Sequence, residues 1–83
     1  MKIFHLGFTG TRHGMTEAQL AAYRTLITEI GPHTLHHGDC IGSDAMANAA
    51  SRATGNRTES HPPLVTAMRA YVPVDQAHDP HHL

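Results

Sequence analysis

Apolar and polar positions along the chain switch between two periodicities, and each switch marks an element. Residues 2–8, Lys-Ile-Phe-His-Leu-Gly-Phe, form a short, mostly apolar run that ends in Thr9-Gly10-Thr11. The run is too short for a buried helix and predicts a buried strand followed by a tight loop. Leu20, Tyr23, Ile27 and Ile30 then recur at helical spacing, with Leu26 supporting the same face. Thr16 and Gln19 fit a capping box ahead of that face. Gly31-Pro32 stops the helix, because glycine accepts the left-handed cap and proline cannot continue it. Residues 34–38, Thr-Leu-His-His-Gly, predict a second strand, and Asp39-Cys40-Ile41-Gly42 a polar loop.

Ser43 is the expected N-cap of a second helix, with Asp44 suited by charge to its first turn. That helix is rich in alanine (Ala45, Ala47, Ala49, Ala50 and Ala53) and is expected to lie close against a sheet, ending at Gly55. Residues 57–61, Arg-Thr-Glu-Ser-His, are polar and predict an edge strand, broken by Pro62-Pro63. Pro63 suits the first turn of a short helix through Ala70, anchored by Leu64, Val65, Met68 and Tyr71. Residues 1–71 therefore form the expected domain. Residues 72–83 form a tail, with Val72-Pro73-Val74 as a short edge segment and Asp79 to Leu83 disordered. The order is βαβαβ, which predicts an α/β fold: a three-layer unit with a parallel sheet and right-handed connections. In such sheets ligands bind at the carboxyl ends of the strands, where both glycine-bearing loops fall.

Composition narrows the function. Six Lys and Arg against seven Asp and Glu give a formal charge of -1, which argues against a protein that coats nucleic acid. No apolar run approaches the roughly 18 residues of a membrane span, and the N-terminus does not read as a signal peptide. The single cysteine, Cys40, excludes an internal disulfide framework and fits a reducing, cytoplasmic location. Large core-forming side chains are scarce in a chain of 83 residues, so shared surface with a partner is expected.

The loops carry the candidate chemistry. In the first, glycine lets the backbone approach a ligand, Thr9 and Thr11 offer hydroxyls, and Arg12 offers a permanent planar cation suited to phosphate. The second, from His37 through Gly38, Asp39, Gly42 and Ser43 to Asp44, runs into a helix N-terminus that favours an anion. Asp44 is placed to take a ribose hydroxyl or to order the loop. Neither loop is a Walker loop or a GxGxxG fingerprint; each alone fits a tight turn beside a capped helix, and the pair points to a phosphate-bearing ligand.

Gly7-Phe8-Thr9-Gly10-Thr11-Arg12 resembles the G-[ST]-R first loop of the SLOG superfamily, a Rossmann-like group that includes the DNA-processing protein A family, the LOG phosphoribohydrolases and the YspA-type proteins. His37-Gly38-Asp39-Cys40-Ile41-Gly42-Ser43-Asp44-Ala45 resembles the H-G-x-A-x-G-A-D second loop of the YspA-type branch, and the alanine-rich helix, Gly55 and His61-Pro62 follow in the same order. The resemblance spans roughly residues 3–70 and implies a minimal Rossmann-like unit that binds a nucleotide or nucleotide-derived ligand. By position it implies contacts from Thr9, Gly10, Thr11 and Arg12, and from Gly38, Asp39, Gly42, Ser43 and Asp44. Asp39-Cys40 departs from the small residues usual there. The later strands of the family are missing, as is the P-G-G-x-G-T-x-x-E segment that holds the catalytic glutamate of the LOG enzymes. Catalysis by that route is not expected.

Nine histidines are the compositional outlier. His36 and His37 are consecutive on a strand and point to opposite faces. A zinc site from His37, Asp39, Cys40 and His61 has no recognised spacing, so no metal and no cofactor are expected. His37 and His61 are expected as ligand contacts or as hydrogen-bonded groups at strand ends. Arg69 either reaches the same pocket or is solvated. Cys40 lies near a helix N-terminus, where a thiol is activated, yet a buried loop residue is the simpler expectation.

Three functions are weighed. The first is a binding module for a nucleotide-type ligand that senses or sequesters it, for example phage sequestration of an immune signalling nucleotide. The second is a small hydrolase cleaving an N-glycosidic or phosphate bond, with Asp39 or Asp44 as the acidic group. The third, disfavoured by charge, is a single-stranded DNA accessory. In the usual parallel order 3-2-1-4-5 a fourth strand covers strand one. Here that strand is missing or reduced to Val72-Pro73-Val74. Strand one, with Ile3, Phe4, Leu6 and Phe8, is then an exposed apolar edge, and a homo-oligomer joined there is expected.

Overall fold

The alternating pattern folds as a four-stranded parallel sheet with two helices. In a computed structural model, which describes residues 3–63 and 68–78, the elements follow as β1 (Phe4–Phe8), α1 (Glu17–Ile30), β2 (His33–His37), α2 (Ser43–Ala53), β3 (Arg57–Ser60) and β4 (Gln76–Ala77). The strands lie side by side in chain order, β1-β2-β3-β4, and every pairing is parallel. When each parallel strand is laid beside its predecessor, crossovers of one hand carry every helix to the same face. Tyr23 and Ile27 of α1 accordingly share one core cluster with Ala47 and Ala50 of α2 and Leu35 of β2. The described residues thus make two layers, where the sequence pattern predicts three. The anchors Leu64 and Val65 of the short helix, and the segment Asp79 to Leu83, lie outside the described residues. No helix among the described residues is long and apolar enough to cross a membrane.

α1 forms where local signals place it. Thr16 accepts from the Gln19 amide, and the Gln19 side chain accepts from the Thr16 amide, completing the capping box. Gly31 ends the helix with φ of 74°, a left-handed value that favours glycine. Leu26 remains exposed, so Tyr23 and Ile27 alone carry the fully buried part of the face.

α2 is held differently, because its small side chains bury little apolar area. Asp44, Asn48 and Ser51 form a polar stripe at helical spacing, and each bonds to β2 or to the loop that follows it. Asp44 Oδ2 accepts from the amides of Gly38 at 3.1 Å and Cys40 at 3.2 Å. Asn48 Oδ1 meets His37 Nε2 at 2.9 Å, and Ser51 Oγ meets His33 Nε2 at 2.9 Å. The directions are set by what each group can do. His33 Nδ1 faces the carbonyl of Gly31 and must donate, so Nε2 accepts from Ser51, and Ser51 in turn accepts from Tyr23 Oη at 2.7 Å. Burial pushes the Tyr23 hydroxyl up from its ordinary value, which keeps it a donor.

β3 is interior, not the edge strand that its polarity predicts. Thr58 and Ser60 are buried, and the strand is matched by polar partners far along the chain. The Asp75 carboxylate accepts from the Thr58 amide at 2.7 Å, the Asp75 amide donates back to the Thr58 carbonyl at 2.8 Å, and Arg52 reaches both Asp75 and Thr58. The fourth strand comes from Gln76–Ala77 rather than Val72-Pro73-Val74, and it covers β3, leaving β1 at the other edge. On the face away from the helices, Glu59 accepts from Arg57 Nε at 3.0 Å and lies 2.8 Å from His78 Nε2.

The Ser51 hydroxyl serves both Tyr23 and His33, so Ser51→Ala should cost roughly 1–3 kcal/mol for each buried group left unpaired. Tyr23→Phe leaves the His33 bond intact and should cost less, by urea denaturation. Equal losses would break the chain of donors described. The hydrogen bond from His78, followed by that from Arg57, lowers the Glu59 carboxyl to about 2. A carboxylate with a depressed folded value stabilises the fold fully above its ordinary pKa of about 4.3. That contribution should be lost as pH falls from there through about 2, with the Glu59 carboxyl titrating near about 2 by NMR. A midpoint at the ordinary glutamate value would separate Glu59 from the β3–β4 tie.

Candidate functional site

Parallel strands deliver their following loops to one end, and there the two glycine-bearing loops press together. A Cβ on Gly10 would stand 2.5 Å from Ser43 Cβ, and one on Gly42 would strike the Arg12 carbonyl. Gly42 also has φ of 100°, so only glycine fits without strain. This contact moves the start of α2. Gly42 is the N-cap in place of the expected Ser43, it supplies no side-chain cap, and the Ser43 amide donates to the Thr11 carbonyl at 2.9 Å.

A cleft of about 370 Å³ opens at this junction, at the end of β1. Phe8 and Tyr23 line it with Thr9, Gly10, Thr11 and Ser43, and Met15, Gln19 and Ala22 complete it. Phe8 and Tyr23 meet edge to face, with ring centroids 5.6 Å apart. Arg12 is exposed on the same loop. A larger depression, about 520 Å³, lies between α1 and α2 among Leu20, Met46 and several alanines. Its polar groups are Arg24, Thr28 and Thr54, and its Met46 accepts from the Met15 amide at the end of the first loop.

The second loop is ordered from within. Asp39 is 1% exposed and takes a left-handed φ of 54°. Its carboxylate accepts from Arg69 Nε at 2.9 Å and from the Val72 amide at 3.1 Å. Its carbonyl accepts from the Ala70 amide, while Ile41 donates to the Met68 carbonyl. Residues 68–72 thus cross the loop, and Arg69 is committed to Asp39. The Arg69 guanidinium also lies 4.3 Å from the centre of the Tyr71 ring. His37 is buried: Nδ1 accepts from the Asp39 amide, so Nε2 carries the proton and donates to Asn48. His61 is on the opposite face of the sheet, beside His36 and His78. Burial, then the charges of His78 and His36, lower its pKa from the ordinary value.

The structure therefore brings Thr9, Gly10, Thr11 and Ser43 around one cleft, with Gly42 as the pivot. It uses Asp39, Arg69 and His37 in internal bonds, and it turns the His61 ring to the other face of the sheet, although the His61 amide donates to the His37 carbonyl at 2.7 Å. Burial pushes the Cys40 thiol up, and the Asp44 and Asp39 carboxylates push it the same way, which keeps it protonated at neutral pH. Among the described residues no group of three or more His, Cys, Asp or Glu side chains is arranged to hold a metal ion. Asp44 stands apart. It is 4% exposed, one carboxylate oxygen is satisfied by the loop amides, and the other, Oδ1, is buried with no hydrogen-bond partner among the described residues. The Ser60 hydroxyl, at the end of β3, shares that state. Sequence alone marks Asp44 but not the division of labour between its oxygens, which depends on how Gly38 and Cys40 turn back toward the helix.

No protein-family model, no curated protein and no solved structure matches the chain.

Proposed function

We propose that the chain binds a nucleotide or nucleotide-derived ligand at the carboxyl ends of its strands, as a sensor or a sequestering module of the kind the SLOG-like loops imply. The observation that carries the reading is Asp44 Oδ1. A buried unpaired acceptor on a charged group costs more than the roughly 1–3 kcal/mol of a neutral one, and a donor hydroxyl brought by a ligand recovers that cost. A ribose hydroxyl is such a donor. Loop one supplies what a phosphate needs, with the exposed Arg12 and the hydroxyls of Thr9 and Thr11. Phe8 and Tyr23 give the cleft an aromatic floor for a base or sugar. Binding without chemistry is favoured: Asp39 is neutralised by Arg69, Asp44 orders the loop, and Cys40 is held as the thiol.

We further propose that the chain associates with itself through β1. That strand is one of the two edges of the sheet, and Ile3 beside it is 54% exposed.

Native mass spectrometry of freshly purified protein should show a retained nucleotide-type mass, and denaturation should release it unaltered. A released base or sugar phosphate would instead show an enzyme. With that ligand in calorimetry, Asp44→Asn keeps an oxygen for the loop amides but places a donor where Oδ1 was. Affinity should fall about 10–100-fold, the value of a hydrogen bond to a charged group. Arg12→Ala should weaken binding by about tenfold or more with the fold intact. Unchanged affinity in both variants overturns the site. Sedimentation at micromolar concentration should show a species larger than the monomer, and a monomer overturns the β1 association.

A further inference from the structure

The face of the sheet opposite the helices carries a row of imidazoles that the loop site does not use. His5 Nδ1 is 2.9 Å from His36 Nε2, and His36 Nδ1 is 3.1 Å from His61 Nε2, so each bond joins two rings end to end. The row finishes differently at β4. His78 lies face to face with His61, with ring centroids 4.2 Å apart and planes 4° from parallel, and its Nε2 is 2.8 Å from Glu59 Oε1. Register produces the stack. Ser60 is paired with Ala77, so the next residue along each chain, His61 and His78, stand side by side on the open face.

A proton fits this arrangement better on some rings than on others. On His36 it makes both nitrogens donors, one to His5 and one to His61. On His78 it faces the Glu59 carboxylate. On His61 it gains neither partner, because Nε2 meets another imidazole and one ring face is covered by a titratable ring. The charged and titratable groups around His61 are His36 on β2 with His5 of β1 behind it, Arg57 and Glu59 on β3, His78 after β4, and His37 on the helix side of β2. The facing carboxylate, Glu59, is already shared by Arg57 and His78. Partial burial, followed by the charges of His78 and His36, holds the His61 pKa below its ordinary value. A histidine lowered in this way leaves stability intact above its ordinary pKa of about 6.5, and stability is lost as pH falls from there through the lowered value.

The backbone decides what yields. His61 is anchored by its amide, which donates to the His37 carbonyl at 2.7 Å. β4 is only two residues long. Before it, Asp75 is pinned by the Thr58 amide and by Arg52; after it, the His78 amide donates to the Ser60 carbonyl at 2.8 Å. We propose that the His61–His78 stack is an acid-sensitive latch: when both rings are charged, residues 76–78 swing away from β3 about Asp75 and uncover its edge, while β1, β2 and β3 stay paired. So short a strand opens locally without unfolding the sheet.

Amide hydrogen exchange on the full chain, resolved by NMR and corrected for the intrinsic pH dependence of exchange, tests the latch. Protection of the His78 amide should fall about tenfold or more between about pH 7.5 and about pH 5.5, while the Leu35 amide on β2 keeps its protection. Glu59 stays ionised over that range, since its carboxyl is lowered to about 2, so it does not supply the change. His61→Phe keeps a ring in the stack and removes its charge, so the fall should disappear. His61→Gln keeps a hydrogen-bonding group for His36 and should remove the fall as well, from a lower starting protection. Constant protection of the His78 amide in the native chain, an equal fall at Leu35, or a fall of native size in either His61 variant overturns the latch.

Discussion

Three polar side chains on one stripe of α2 hold that helix to β2, and the position of everything else follows from them. Asp44, Asn48 and Ser51 run along the helix as the strand runs the other way, meeting in turn the loop after β2, His37 and His33. Helix and strand could not be joined by burial alone, since Ala47 and Ala50 are the apolar groups α2 buries completely. Small residues let the helix approach, and hydrogen bonds with a fixed direction set its register. A buried polar network of this kind stabilises one arrangement sharply, because any shift leaves its members unpaired.

The same stripe joins the fold to the candidate site. Its first member, Asp44, orders the second loop with one oxygen and leaves the other without a partner among the described residues. The N-terminus of α2 is then pressed onto the first loop through Gly42 and the Ser43 amide. The cleft beside Phe8 and Tyr23 is therefore shaped by the bonds that seat the helix. Asp39 and Arg69 contribute at one remove, by fastening residues 68–72 over the loop rather than by facing a ligand.

What was legible in the chain was local. Thr16, Gln19 and Gly31 announce α1 within a few residues of where they act, and the glycine-bearing loops fall at the strand ends as their positions predict. What was not legible depends on residues brought together from a distance. The polarity of Arg57–Ser60 signals an edge, yet Asp75, Arg52 and β4 satisfy it inside the sheet. Strand alternation separates the rings of His36 and His37, but only the register between β2 and β3 puts the His61 ring beside that of His36 while its amide donates to the His37 carbonyl. The stripe of Asp44, Asn48 and Ser51 is not singled out by the alanine-rich pattern of α2. It gains meaning only when the strand opposite is seen to present histidines in place of aliphatic side chains.

A sheet whose spatial order equals its chain order has a consequence for assembly. No strand has to return to the free edge of an earlier one, as happens in sheets whose order reverses at a switch point. Each new strand docks against the one made just before it, and the loop it closes is short enough that the entropy of closure grows little along the chain. The protein can therefore be built by accretion in the direction of synthesis. Residues 75–78 then clasp the strands made before them, since Asp75 and His78 engage a polar strand already in place.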